Sequence, residues 1–187
     1  MEDKLRKMKK EIQTIIEIPT GVEVEIKKDE VIMKSGGKEA KREFHLPKIK
    51  LEKKENQIIF SCPKATKREL KLMNTAVAHV RNMIKGFNEA FVYKLEICNV
   101  HFPMTAKVEG SELVIKNFLG EKIPRRANLL EGVDVKVSGN IVEVSSHNRE
   151  LAGQTAANIE ISTKLRGRDR RVFQDGIFLT DKPGRKI

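Results

Sequence analysis

Glu30-Val31-Ile32-Met33-Lys34 (EVIMK) recurs as Glu112-Leu113-Val114-Ile115-Lys116 (ELVIK), 82 residues further on. Beyond each copy, Arg68-Glu69-Leu70 recurs as Arg149-Glu150-Leu151, at an offset of 81. A nearly constant offset points to a duplicated domain. Both halves read alike around their copy, as several short strands followed by one long helix. The expected fold class is therefore α+β. It comprises two tandem similar domains, each a small antiparallel sheet with one helix packed on one face, over residues 1–86 and 87–187.

In the first half, Val22, Val24 and Ile26 alternate with Glu23 and Glu25, as in a strand with one wet face. Val31-Ile32-Met33 forms the next strand, and Asp29-Glu30 suits the turn between the two. Ser35-Gly36-Gly37 reads as a loop, Lys48–Leu51 and Gln57–Phe60 as further strands. Thr66 and Glu69 have the spacing of a capping box, which satisfies otherwise unpaired N–H groups at a helix start. Leu70, Met73, Val77, Val80 and Ile84 then follow at steps of three and four on one helical face, and Gly86 is the expected stop. In the second half, Phe91, Tyr93, Leu95 and Ile97 alternate as a strand. Thr105–Val108 and Glu112–Ile115 flank a turn at Glu109-Gly110-Ser111. Val133–Val137 and Ile141–Val144 flank another at Ser138-Gly139-Asn140. A second helix is expected from Arg149 to Leu165, with small residues, Ala152 and Ala156, beside Ile159 on its apolar face.

The chain has 187 residues and a net charge of +11, which calls for a polyanionic partner. The charge is uneven: +8 over residues 1–86, −2 over 87–163 and +5 over 164–187. No apolar run of about 18 residues suggests a membrane span. The charged N-terminus, MEDKLRKMKKEIQTII, lacks the apolar core of a signal peptide, so a cytoplasmic location without membrane association is expected. Cys62 and Cys98 stand alone in sequence, outside any paired motif for zinc or redox chemistry.

No phosphate-binding P-loop and no nucleophile elbow is present. His45, His79, His101 and His147 are scattered without metal-ligand spacing. Neither a catalytic residue, a metal nor a cofactor is expected. Aromatic residues make up 5% of the chain, with no clustered pair on a strand of the kind that stacks bases in RNA-recognition motifs. Recognition by stacking on single strands is disfavoured, leaving recognition of backbone and shape by Lys and Arg.

A dense cationic stretch follows the second helix: Lys164, Arg166, Arg168, Arg170 and Arg171, before Asp175-Gly176 leads into Ile177-Phe178-Leu179. Guanidinium groups held between a helix and a strand suit the phosphates of a folded RNA. Glu160 is the carboxylate placed to orient them. Lys122, Arg125 and Arg126 form a second basic group, and Lys182, Arg185 and Lys186 a third. All eleven cations are candidate RNA contacts.

Several strings resemble the L-six family of large ribosomal subunit proteins in its archaeal-type branch. They are Val80–Gly86 (VRNMIKG), His101–Met104 (HFPM), Asn117–Lys122 (NFLGEK) with Pro124–Ala127 (PRRA), and Gly153 to Phe178. The resemblance covers nearly the whole chain. Phe178 departs from it, standing where tyrosine is usual, as does Arg170, where proline is common. The resemblance implies two similar α+β domains and binding to large-subunit rRNA, near the sarcin–ricin loop and the stalk base where translational GTPases dock. It implies neighbouring large-subunit ribosomal proteins as further partners and the second domain as the main RNA contact. An RNA-processing enzyme and an RNA-binding regulator acting off the ribosome are the alternative readings; the first lacks a visible acid–base or metal constellation.

Overall fold

The computed structural model describes residues 10–27 and 30–187. The expected turn at Asp29 and the basic residues 4–9 lie outside the described residues. The chain divides into two compact units between Asn88 and Glu89.

The first unit runs β1 (Lys10–Glu17), β2 (Glu23–Lys27), β3 (Glu30–Ser35), β4 (Lys38–Glu43), β5 (Lys50–Lys54), β6 (Gln57–Ala65) and α1 (Lys67–Asn88). Its strands form two antiparallel sheets, ordered β1-β6-β5 and β2-β3-β4. The second unit runs β7 (Phe91–Cys98), β8 (Thr105–Glu109), β9 (Glu112–Lys116), a 3-10 turn (Phe118–Gly120), β10 (Arg125–Asn128), β11 (Asp134–Ser138), β12 (Ile141–Ser146), α2 (Arg149–Ser162), β13 (Gly176–Lys182) and β14 (Arg185–Lys186). Its sheets are ordered β10-β9-β8 and β11-β12-β7-β13-β14. The α+β class stands, with the strands of each unit shared between two sheets.

The recurring pentapeptides occupy the same place in both units, the middle strand of a three-stranded sheet. In each, three consecutive apolar residues are buried: Val31, Ile32 and Met33, then Leu113, Val114 and Ile115. Because neighbouring strand residues point to opposite faces, both faces of each middle strand are covered. Val31 and Met33 join a core with Ile58, Phe60, Met73 and Val80. Leu113 and Ile115 join one with Leu95, Phe118, Ile159 and Ile177. The intervening Ile32 sits between Glu25 and Lys41 in register, and Val114 between Lys107 and Arg126, so long charged side chains flank each. The leading glutamates also repeat an ion pair, diagonal to the strands: Glu30 with Lys41 of β4 at 2.8 Å and Glu112 with Arg126 of β10 at 2.8 Å.

Several sequence expectations need correction. The strand expected at Lys48 begins at Lys50, because Pro47 and Lys48 form a turn. β4 (KEAKRE) carries no apolar alternation and sits at a sheet edge with only Ala40 buried. Charged residues likewise obscure β10 (RRAN) in the sequence. Helix α1 continues past Gly86, which is buried and keeps a helical backbone, to Asn88. Its first turn presents Glu69 to the protein, and Leu70 stays 37% exposed. The capping box explains this: the Glu69 carboxylate accepts from the Thr66 backbone N–H at 2.9 Å and from the Thr66 hydroxyl. Helix α2 stops at Ser162, three residues before Leu165, with its last turn closed by bonds from Thr163 N to Glu160 O and Lys164 N to Ile161 O.

Close approach of α2 to its sheet has a local cause. A Cβ on Gly153 would lie 3.0 Å from the Tyr93 hydroxyl oxygen on β7. Ala152, Thr155 and Ala156 continue this slim, fully buried face.

The Thr66 hydroxyl, then its backbone N–H, hold the Glu69 carboxyl at about 2 against an ordinary 4.5. The ionised form is the one the fold favours, so its contribution is complete above pH 4.5 and is lost as pH falls towards 2. Glu69→Gln should remove this pH-dependent share. In acid titrations followed by far-UV circular dichroism, the variant should lose helix less steeply than wild type across that window. Superimposable profiles would show that the cap carries no linkage.

Candidate nucleic-acid interface

The basic loop between α2 and β13 is tied at both ends. At its neck, the Thr163 hydroxyl accepts from Ile177 N at 2.9 Å in the buried interior. At its far end, Asp175 is 2% exposed and accepts from Val100 N at 2.7 Å, His101 N at 3.0 Å and His101 Nδ1 at 2.5 Å. Burial pushes the Asp175 carboxyl up, but the hydrogen bonds from His101 and Val100 together outweigh it and hold the group below its ordinary value. The His101 ring stacks on Phe173 at 5.2 Å between centroids, and the Arg168 guanidinium lies 4.8 Å from the centre of the same ring. Within the loop, Asp169 accepts from Arg171 N at 2.9 Å and pairs with the Arg171 guanidinium at 2.9 Å. Its main-chain oxygen accepts from Phe173 N at 2.9 Å. The loop therefore holds a defined shape.

Lys164, Arg166, Arg168, Arg170 and Arg171 lie along this loop, and all five are exposed. Among the described residues, Lys164, Arg166 and Arg170 enter no ion pair, so their charge is open to a phosphate. Arg171 shares its charge with Asp169, and Arg168 gives its face to Phe173.

The 121–126 group divides by role. Arg125 is a clamp: it grips the Glu121 carboxylate with Nε at 2.8 Å and Nη2 at 2.6 Å. Nη1 donates to Ser162 O at 3.0 Å and Lys164 O at 3.4 Å, and the guanidinium lies 4.1 Å from the centre of the Phe118 ring. Four of its five N–H donors are thus spent on the protein. It joins the 118–125 segment to the end of α2 where the basic loop starts. Arg126 is bound to Glu112, while Lys122 is exposed beside Ile123, itself 81% exposed. Lys182, Arg185 and Lys186 close a hairpin at the sheet edge, with Lys182 opposite Arg185 and Asp181 opposite Lys186.

Glu160 does not orient the arginines; its Oε1 accepts from Leu179 N on β13 at 3.5 Å. The pairing of His101 with Asp175 escaped sequence reading because 74 residues separate them. Burial, then nearby Glu96 and Asp175, push the half-buried Cys98 thiol up, away from the thiolate form. Among the described residues no helix is long and apolar enough to cross a membrane.

The family model for ribosomal protein L6 matches the chain twice, over residues 18–90 and 102–176. The chain belongs to the ribosomal protein L6 family. The large ribosomal subunit protein uL6 of Methanococcus vannielii is 47% identical over 176 residues, covering 94% of this chain and 97% of the relative. That of Methanosarcina mazei is 45% identical over 175 residues, covering 94% and 99%. Both relatives are archaeal, in line with the branch expected from sequence. The two L6 matches contain β3 and β9, so the internal repeat and the family pattern agree.

The Arg125 clamp is testable without any ligand. Arg125→Lys keeps the charge but cannot form the two-pronged grip or lie flat on Phe118. It should destabilise the second unit by about 2 kcal/mol and speed amide hydrogen exchange across residues 162–172. Exchange equal to wild type would show that the loop stands without the clamp.

Proposed function

We propose that this chain is a structural component of the large ribosomal subunit that binds its rRNA through the 164–171 loop of the second unit, without catalysing a reaction. The supporting observation is a loop pinned at Thr163 and Asp175 that presents Lys164, Arg166 and Arg170 outside any ion pair among the described residues. Arginines held at fixed spacing bridge phosphates brought together by RNA folding and so stabilise that arrangement. Membership of the L6 family, and relatives named as large ribosomal subunit proteins, support the ribosome in the cytoplasm as its place.

The reading extends to the location on the rRNA. The L-six resemblance favours the sarcin–ricin loop and the stalk base, with neighbouring large-subunit proteins as further partners and translational GTPases docking nearby. In this reading Lys122 and the hairpin cations Lys182, Arg185 and Lys186 add secondary phosphate contacts. Arg125 and Arg126 act through the protein, one as the clamp and the other as the Glu112 partner.

Simultaneous Lys164→Ala, Arg166→Ala and Arg170→Ala substitution should lower affinity for large-subunit rRNA and flatten its dependence on salt. Three fewer cations would neutralise phosphates, so the slope of log affinity against log salt should fall in magnitude by about 2 to 3. A filter-binding series between low and moderate salt measures this. An unchanged slope would remove the loop from the interface.

A further inference from the structure

A pocket of about 730 Å³ opens beside the basic loop, between the end of α2, the end of β7 and the start of β13. Its apolar lining includes Val100, Ile161, Leu165, Phe173 and Phe178. Three of these stay open to water in the free protein: Val100 at 69%, Ile161 at 60% and Phe178 at 43% exposure. Lys164 and Arg170 belong to the same lining and form no ion pair among the described residues. The two phenylalanines are held in place. Phe173 is fixed by the His101 ring and by Arg168. Phe178 rests the end of its ring over Gly176, where a Cβ would come within 2.8 Å of the Phe178 Cζ.

We infer that this pocket receives one unstacked nucleobase of the rRNA, while Lys164 and Arg170 hold the phosphates flanking it. The inference rests on the rRNA-binding reading above and assigns a base contact to it. The volume falls in the range of roughly 300–1,000 Å³ that suits a nucleoside-sized group. The distribution of charge separates base from phosphate. Glu160 and Asp175 are also in the wall, so a phosphate is repelled from the interior and kept beside the cations. A nucleobase carries no charge and offers N–H donors that the Glu160 carboxylate accepts. Its flat apolar faces match the phenylalanine and aliphatic walls, and stacking on an aromatic side chain tolerates any base.

Ile161→Trp, at an exposed position on α2, fills the pocket without entering the core. Phe178→Ala, at an exposed strand position, removes an aromatic wall. Full-length wild type and both variants would be bound to protein-free large-subunit rRNA, with base-modifying reagents read at nucleotide resolution and affinity measured across salt. We expect wild type to protect one unpaired base. Both variants should lose that protection and about tenfold in affinity, with the salt slope unchanged because every phosphate-binding cation is kept. Variants that retain the protected base and the affinity overturn the pocket assignment alone, provided wild type binds with a steep salt slope. A wild-type footprint confined to the sugar–phosphate backbone does the same. A photoreactive group at position 161 that crosslinks in the purified large subunit to another protein, and not to rRNA, also overturns it. Failure of wild type to bind the rRNA overturns both this inference and the reading beneath it.

Discussion

The Asp175 carboxylate, buried and accepting from two backbone N–H groups and one imidazole, fixes where the basic loop ends and where β13 begins. A buried charge with all of these donors is held in one orientation, since losing any of them leaves an uncompensated polar group. From that point the chain turns into Ile177, which enters the core, and Phe178, which stays at the surface. The His101 ring, drawn to Asp175, supports Phe173, and Phe173 supports Arg168. A buried carboxylate thus governs the position of an exposed cation.

Much of the fold was legible because the apolar pattern is plain where it matters most. The repeated pentapeptides are apolar in their three central positions, and those positions are the ones buried on both faces of a middle strand. The edge strands β4 and β10 were not legible for the opposite reason. KEAKRE has one inward residue, Ala40, and RRAN has one, Ala127, so neither shows alternation above its charges. The end of α2 depended on the hydroxyl of Thr163, which meets a strand that comes later in the chain.

The candidate site was legible as composition but not as division of labour. Sequence groups Arg125 with Arg126 and Arg170 with Arg171 as equals. Structure separates them by the carboxylates and carbonyls brought within reach: Glu121 and the end of α2 for Arg125, Glu112 for Arg126, Asp169 for Arg171. The diagonal pair Glu112–Arg126 has its counterpart in Glu30–Lys41, so duplication explains it without reference to RNA. The two copies diverge elsewhere: α1 has 22 residues and α2 has 14, and the stretch after α2 continues into the basic loop and β13.

The position of β13 bears on how the protein is born. It is hydrogen-bonded between β7 and β14, and Ile177 pairs with Ile97 across 80 residues of chain. As synthesis proceeds, β7 can pair with β12 early, but its other edge waits until β13 has left the synthesising ribosome. Such a distant pairing is slow to find and leaves an open strand edge meanwhile. The cations of the loop are made before β13, yet their neck at Thr163 closes only with Ile177 in place. Ordered presentation of those cations therefore comes last, after the rest of the second unit has a core to hold them.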